Sequence, residues 1–226
     1  MRISILGAGA IGSYLAARLA ASGADVQVIA RGEALEAVRR NGIRIEGNAD
    51  MHVRPLAATV EEAGPADAVI SCVKAYAVPA IAPDIPRLLA PGGIWIAAVN
   101  GLPWWYGDAP LDAVDPGGRI RAAFPRERAA VAVAYLAAEV LRPGVVAFVS
   151  GKGLILAAPS DQAASHLTDM AKSLTAAGID TSVAGNAATA IWNKLFGNVG
   201  LNPLTALTGF TVDRLLADVE LRAMLT

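Results

Sequence analysis

Apolar residues along the chain alternate between short unbroken runs and helically spaced stretches. Residues 2–6 form a short run that stops at Gly7. Residues 13–22 carry apolar side chains at helical spacing, and Gly23 follows as a helix stop would. Residues 26–30 are a second short run. The pattern predicts strand, helix, strand. Residues 66–73 and 94–99 read as buried parallel strands, ending at Lys74 and at Asn100-Gly101. Residues 42–47 and 51–55 read as short strands around a turn. Residues 129–138, 144–149 and 153–157 read as further strands, 161–177 as a helix and 179–183 as a last strand. A polar turn at Gly185 separates this α/β region, residues 1–185, from residues 186–226, where Asn186 is placed to cap a helix.

The turn after the first strand is Gly7-Ala8-Gly9-Ala10-Ile11-Gly12. A GxGxxG between a strand and a helix, with a second strand following, is the dinucleotide-binding fingerprint of a Rossmann-type domain. Gly7 allows the tight turn and Gly9 lets backbone approach a pyrophosphate. Gly12 lets helix and strand pack closely, and the helix N-terminus offers N–H groups to the phosphates. The second strand ends at Arg31 rather than at an acidic residue, although Glu33 is near. A guanidinium there suits a 2′-phosphate, which favours NADP(H) over NAD(H). Lys74 and Asn100 stand, like Arg31, at carboxyl ends of strands, where open parallel sheets bind ligands.

The last region holds a second polar pattern. If residues 191–203 are helical, Lys194, Asn198 and Asn202 fall on one stripe, and Trp192, Leu195, Phe196 and Val199 lie opposite, free to face a core. An amine and two amides in register suit a small polar oxyacid or its carbonyl.

Composition narrows the function classes. The 226 residues carry a net charge of −1, with a pI near 6.1, so no basic surface suggests nucleic acid. Mean hydropathy is +0.46, yet no run of 18 apolar residues suggests a membrane span. The single cysteine, Cys72, excludes an internal disulfide, fits a reducing cytoplasm and is expected to be buried and inert. His52 and His166 lie far apart with no clustered ligands, so no metal site is expected.

These features together resemble the ketopantoate reductase (2-dehydropantoate 2-reductase) family. The landmarks are residues 7–12, Val73-Lys74-Ala75-Tyr76, Asn100-Gly101-Leu102-Pro103-Trp104-Trp105, and the stretch from Trp192-Asn193-Lys194 through Asn202-Pro203-Leu204-Thr205-Ala206. The resemblance implies a Rossmann-type NADP-binding domain followed by an all-helical substrate and dimerisation domain. It implies NADPH-dependent reduction of 2-dehydropantoate to pantoate, on the way to pantothenate and coenzyme A. By resemblance Lys194 is the catalytic proton donor and Asn198 and Asn202 bind substrate. Asn100 lies between nicotinamide and substrate, and Arg31 and Lys74 hold the 2′-phosphate. Trp104 and Trp105 suit either an active-site floor or plain packing.

The family also continues past this chain's last residue, so a truncated helical domain is expected here. Leu215, Leu216, Val219, Leu221 and Leu225 then look like an inward face without partners, and self-association, as in a homodimer, becomes an expectation. Reduction of another 2-oxo acid, or NADPH binding without turnover, are the alternative functions.

Overall fold

Strands covered on both faces are buried on both: in the motif-bearing strands Ile3, Ile5 and Val28 are fully buried on one face, and Ser4 and Gln27 are buried on the other, where the Gln27 amide donates to Ser4 Oγ at 2.6 Å. The computed structural model describes residues 1–47, 50–109 and 111–225, with Gln162 described by its backbone only. The chain runs β1 (Arg2–Leu6), α1 (Ala10–Ala21), β2 (Asp25–Ile29), α2 (Gly32–Asn41), β3 (Ile43–Glu46), β4 (Met51–Val53), β5 (Leu56–Ala58) and β6 (Ala66–Ser71). Short helices α3 (Val78–Ile81) and α4 (Ile85–Leu88) lead to β7 (Leu89–Ala97). A long connection bearing α5 (Arg119–Ala123) leads to the hairpin of β8 (Ala129–Arg142) and β9 (Val145–Ala157). Then follow α6 (Asp161–Ser165), α7 (Leu167–Ala176) and β10 (Asp180–Val183). The last helices are α8 (Ala187–Thr208), α9 (Val212–Ala217) and α10 (Val219–Ala223). The chain divides into two compact units, Met1–Gly185 and the residues from Asn186 onward.

In the first unit, the described strands form one sheet in the order β4-β3-β9-β8-β7-β6-β1-β2-β5, with β10 also paired to β9. The stretch β5-β2-β1-β6-β7-β8 is all parallel and has the doubly wound Rossmann order. Its registers align Ala58, Ile29, Leu6, Ser71, Ala97, Val131 and Ala157 in one row. Just beyond that row lie the carboxyl ends of β5, β2, β1, β6 and β7, the edge that faces a ligand.

The sheet curls around α1. Tyr14, Leu15, Ala16, Ala17 and Leu19 of this helix are buried. They share a core with Ile3 and Ile5 on one side, Ile43, Ile45, Leu154 and Leu156 from the β3–β9 end, and Leu167, Met170 and Leu174 of α7. Truncating Leu15 to alanine in such a place would cost about 2–5 kcal/mol.

Three local expectations are corrected. Residues 144–149 and 153–157 are one strand, β9, rather than two. Gly151-Lys152-Gly153 is a bulge, because Leu136 pairs with Gly151 and Tyr135 with Gly153, leaving Lys152 as the extra residue. A side chain at Gly153 would lie 1.7 Å from the Asp180 carbonyl oxygen, and φ there is +158°. Residues 161–177 are two helices that meet at His166. Strand β7 starts at Leu89, before its Pro91-Gly92-Gly93 turn signal, through an irregular register against β6. The expected strands near residues 43 and 51 form as an antiparallel pair, and His52 is exposed in it, its Nε2 2.6 Å from the Asn41 carbonyl oxygen.

In the second unit, Asn186 caps α8: its side-chain oxygen accepts from the Thr189 N–H at 2.9 Å. Leu215 of α9 is fully buried and Leu225 packs 3.0 Å from the place a Gly200 side chain would begin. Leu216 and Val219 are exposed. The expected apolar side of α8 is corrected as well. Leu195 is half-buried, but Trp192, Phe196 and Val199 are 41%, 75% and 63% exposed. Helical spacing fixes which residues share a side; what packs on that side decides burial.

Candidate active site

The cofactor motif takes its shape from backbone sterics. Gly7 has φ +109°, and its N–H donates to the Ile29 carbonyl at 2.8 Å, tying the turn to β2. A Cβ on Gly12 would lie 1.9 Å from the Gly7 carbonyl oxygen, so only glycine lets α1 start this close to β1. Gly9 is exposed, with nothing within 4 Å of where its Cβ would be. It caps α1 without a side-chain hydrogen bond, and no acidic residue occupies the first turn. Ala8, Ala10 and Ile11 are half-buried around it. The first N–H groups of a twelve-residue helix thus open onto free space, beside the point where the chain leaves β1 and the neighbouring strand β6 belongs to the other half of the sheet. That arrangement fits a pyrophosphate.

Arg31, Lys74 and Asn100 stand at the carboxyl ends of β2, β6 and β7, and all three are exposed. Neither Arg31 nor Lys74 has an ion-pair partner among the described residues. Two unspent cations on one ligand edge fit a 2′-phosphate. Cys72, between them and the glycine turn, is the opposite kind of group. The residue is half-buried rather than buried as expected, and burial pushes its thiol up to about 12, so it stays protonated. Among the described residues, no cluster of side chains suited to a metal ion occurs, and no helix is long and apolar enough to cross a membrane.

In the second unit, Lys194 and Asn198 are half-buried on one side of α8, while Asn202 is exposed. Pro203 lies inside the same helix and has no N–H to give the preceding turn.

One feature escaped the sequence reading: the segment after Asn100 folds into a wall. Trp104 and Trp105 are both 4% exposed, and Trp104 also lines the cavity beside Asn100. Trp104 stacks on Trp95 at 6.5 Å, and Trp95 donates from Nε1 to Ser71 Oγ at 2.8 Å. Asp115 is buried, and its carboxylate accepts from the N–H groups of Ile120 at 2.7 Å and Arg121 at 3.1 Å. Arg121 in turn donates to the carbonyl oxygens of Asp108 and Trp104. The run Asp115-Pro116-Gly117-Gly118 is the turn signal that could have revealed it; both glycines have positive φ. Between this wall, α3 and the end of β7 lies a cavity of about 300 Å³.

The model of the family described as "Ketopantoate reductase PanE/ApbA" matches residues 3–161, and that of its C-terminal part matches residues 186–226. The chain belongs to the ketopantoate reductase family. A 2-dehydropantoate 2-reductase of Mesorhizobium japonicum is 38% identical over 235 residues, covering 99% of this chain and 72% of that protein. The crystal structure of 2-dehydropantoate 2-reductase from Geobacter metallireducens has a TM-score of 0.84 at 28% identity, covering 100% of this chain and 71% of that one. A ternary structure of D-mandelate dehydrogenase with NADH and anilino(oxo)acetate has a TM-score of 0.85 at 20% identity, covering 100% of this chain and 70% of that one; it shares the fold. Ketopantoate reductase relatives are thus oxidoreductases, and the mixed α/β, Rossmann-type fold expected of the family is the one found.

Proposed function

We propose that this ketopantoate reductase family member is an NADP(H)-dependent oxidoreductase that reduces 2-dehydropantoate to pantoate. The observation that carries the reading is the open cofactor edge: an uncapped α1 N-terminus above Gly9, flanked by the unspent cations Arg31 and Lys74. The Mesorhizobium relative supports the substrate. Residues 7–12 would hold the pyrophosphate, and Arg31 and Lys74 the 2′-phosphate. When bound, the cofactor supplies a hydride to the carbonyl carbon. As negative charge grows on the carbonyl oxygen, the Lys194 ammonium stabilises it and delivers the proton that completes the hydroxyl. Asn198 and Asn202 orient the substrate's polar groups, and Asn100 holds the reacting end by hydrogen bonds, which its donor and acceptor atoms both allow. We assign residues 1–185 to cofactor binding and 186–226 to substrate binding, and the exposed apolar side of α8 to homodimer contact. A cytoplasmic, water-borne substrate fits this reading.

The test is loss of NADPH absorbance with 2-dehydropantoate, with NADPH binding followed by fluorescence in the same sample. Lys194→Ala is expected to lower turnover at least a hundredfold with NADPH affinity unchanged. Unchanged turnover would refute the acid role. Binding without turnover in the parent chain would leave an NADPH-binding protein instead.

A further inference from the structure

Asn100 sits on a loop whose two ends converge on one buried indole. Residues 98–103 join the end of β7 to Trp104. The near end of the loop is held by Ser71, the last residue of β6. Its carbonyl oxygen accepts from the Ala98 N–H at 2.8 Å. Its hydroxyl accepts from Trp95 Nε1, also at 2.8 Å. Trp95 pairs with Val69 in register, so its indole reaches diagonally, two residues along β6, to make that bond. The far end of the loop is held by Trp104, which stacks on the same indole at 6.5 Å. Phe124 meets the indole edge-on at 5.4 Å, and the Arg128 guanidinium lies over the Phe124 ring at 5.7 Å. Ser71 and Trp95 are 0% and 1% exposed. Apolar groups alone could fill this space, whereas a paired polar link inside the core fixes one geometry.

We infer that Trp95, through its bond to Ser71, is the positioning residue for Asn100. The inference rests on the reductase reading, in which Asn100 holds the reacting end of the substrate. An exposed amide on a loop free to move would meet the substrate in many orientations. Displacement of such a group by about 1 Å can cost on the order of a hundredfold in rate. The indole clamp fixes the loop before substrate arrives. The glycine turn and Arg31 follow β1 and β2, and Lys74 follows β6, which stays paired to β1 without Trp95. Loss of the clamp is therefore felt in turnover and not in NADPH affinity.

The test is a double-mutant cycle. Ser71→Ala removes the acceptor and leaves the indole N–H buried and unpaired. Trp95→Phe removes the donor but keeps a ring, and serves where Ser71→Ala does not fold. Each is made in the parent chain and in Asn100→Ala. With 2-dehydropantoate and NADPH, either change is expected to lower kcat at least tenfold in the parent chain, roughly the cost of a sub-ångström misplacement. The NADPH Kd, which is also the folding control, should stay within about twofold. In the Asn100→Ala background the same change should move kcat less than about twofold, because the residue it acts through is gone. A second readout needs no substrate. The Ala98 and Tyr106 amides flank the loop and are hydrogen-bonded, and their exchange with solvent should quicken at least about tenfold in either variant. Unchanged kcat, or an equal loss of kcat in both backgrounds, overturns the inference, since the pair would then act independently of Asn100. Unchanged exchange at the two amides overturns it as well. Absence of turnover in the parent chain, with exchange responding as expected, counts instead against the reductase reading and leaves the clamp standing.

Discussion

Gly12→Ala and Gly9→Ala separate the two jobs of the glycine motif. A Cβ on Gly12 falls 1.9 Å from the Gly7 carbonyl oxygen, where ordinary contact begins at 3.4 Å. The helix would have to withdraw by about 1.5 Å, and both clashing partners are close to rigid backbone. No open side exists to move toward, because α1 is enclosed by the curled sheet and α7. Overpacking of this kind costs about 3 kcal/mol or more, out of a total near 5–15 kcal/mol. At about 2–4 °C per kcal/mol for a chain of this size, the melting temperature should fall by at least roughly 6 °C. Gly9 has nothing within 4 Å of its would-be Cβ. Gly9→Ala should melt within about 3 °C of the parent, yet lose tenfold or more in NADPH affinity, because the methyl group fills the approach to the helix N-terminus. Circular-dichroism melts and fluorescence titrations measure the pair. A Gly12→Ala chain that melts like the parent, or a Gly9→Ala chain that is destabilised while binding NADPH normally, would refute the division of labour.

Arg31→Ala should weaken NADPH at least tenfold more than NADH, since only the former carries the 2′-phosphate; equal losses in paired titrations would remove Arg31 from that role. The half-buried Cys72 thiol should react with a thiol reagent at pH 8 more slowly in the folded chain than in denaturant, and equal rates would contradict its raised folded value. Its folded value, about 12, lies above that of an exposed thiol, so the unfolded chain loses its proton first. Stability should therefore fall as pH rises past about 9, read from denaturant midpoints, and Cys72→Ser should flatten that decline. Asp115→Ala removes the acceptor for two backbone N–H groups and should cost about 1–3 kcal/mol, with faster proteolysis near residues 112–121. A protease pattern unchanged from the parent would mean that the wall does not depend on Asp115.

What could be read from residue order was what neighbouring residues decide. The strand, glycine turn and helix at residues 2–21 were legible because one short motif sets the turn, the close approach and the cap. So was the Asn186 cap, which needs only its own side chain and the Thr189 N–H. Distant partners hid the rest. Gly151 and Gly153 looked like a break because the strands that pair on both sides of them, β8 and β10, lie far off in sequence. The wall after Asn100 left only the Asp115-Pro116-Gly117-Gly118 turn as a sign, because hydrogen bonds from Asp115 and Arg121 hold it, with no repeating period. On α8, the spacing of Lys194, Asn198 and Asn202 was readable, but not that Trp192, Phe196 and Val199 would stand exposed.

The enclosure of α1 ties the cofactor motif to the entire first unit. Its partners come from as early as Ile3 and as late as Ile179. A half-length piece carrying β1, α1 and β2 would keep the GxGxxG letters and lose the surroundings that make them a rigid turn. Full burial of the motif needs the β8–β9 hairpin, whose contacts with it are long-range in sequence. Backbone amides of residues 14–19 should then exchange with solvent only when the whole unit opens. The N–H groups offered at residues 10–12 lie one turn away from the least yielding part of the protein.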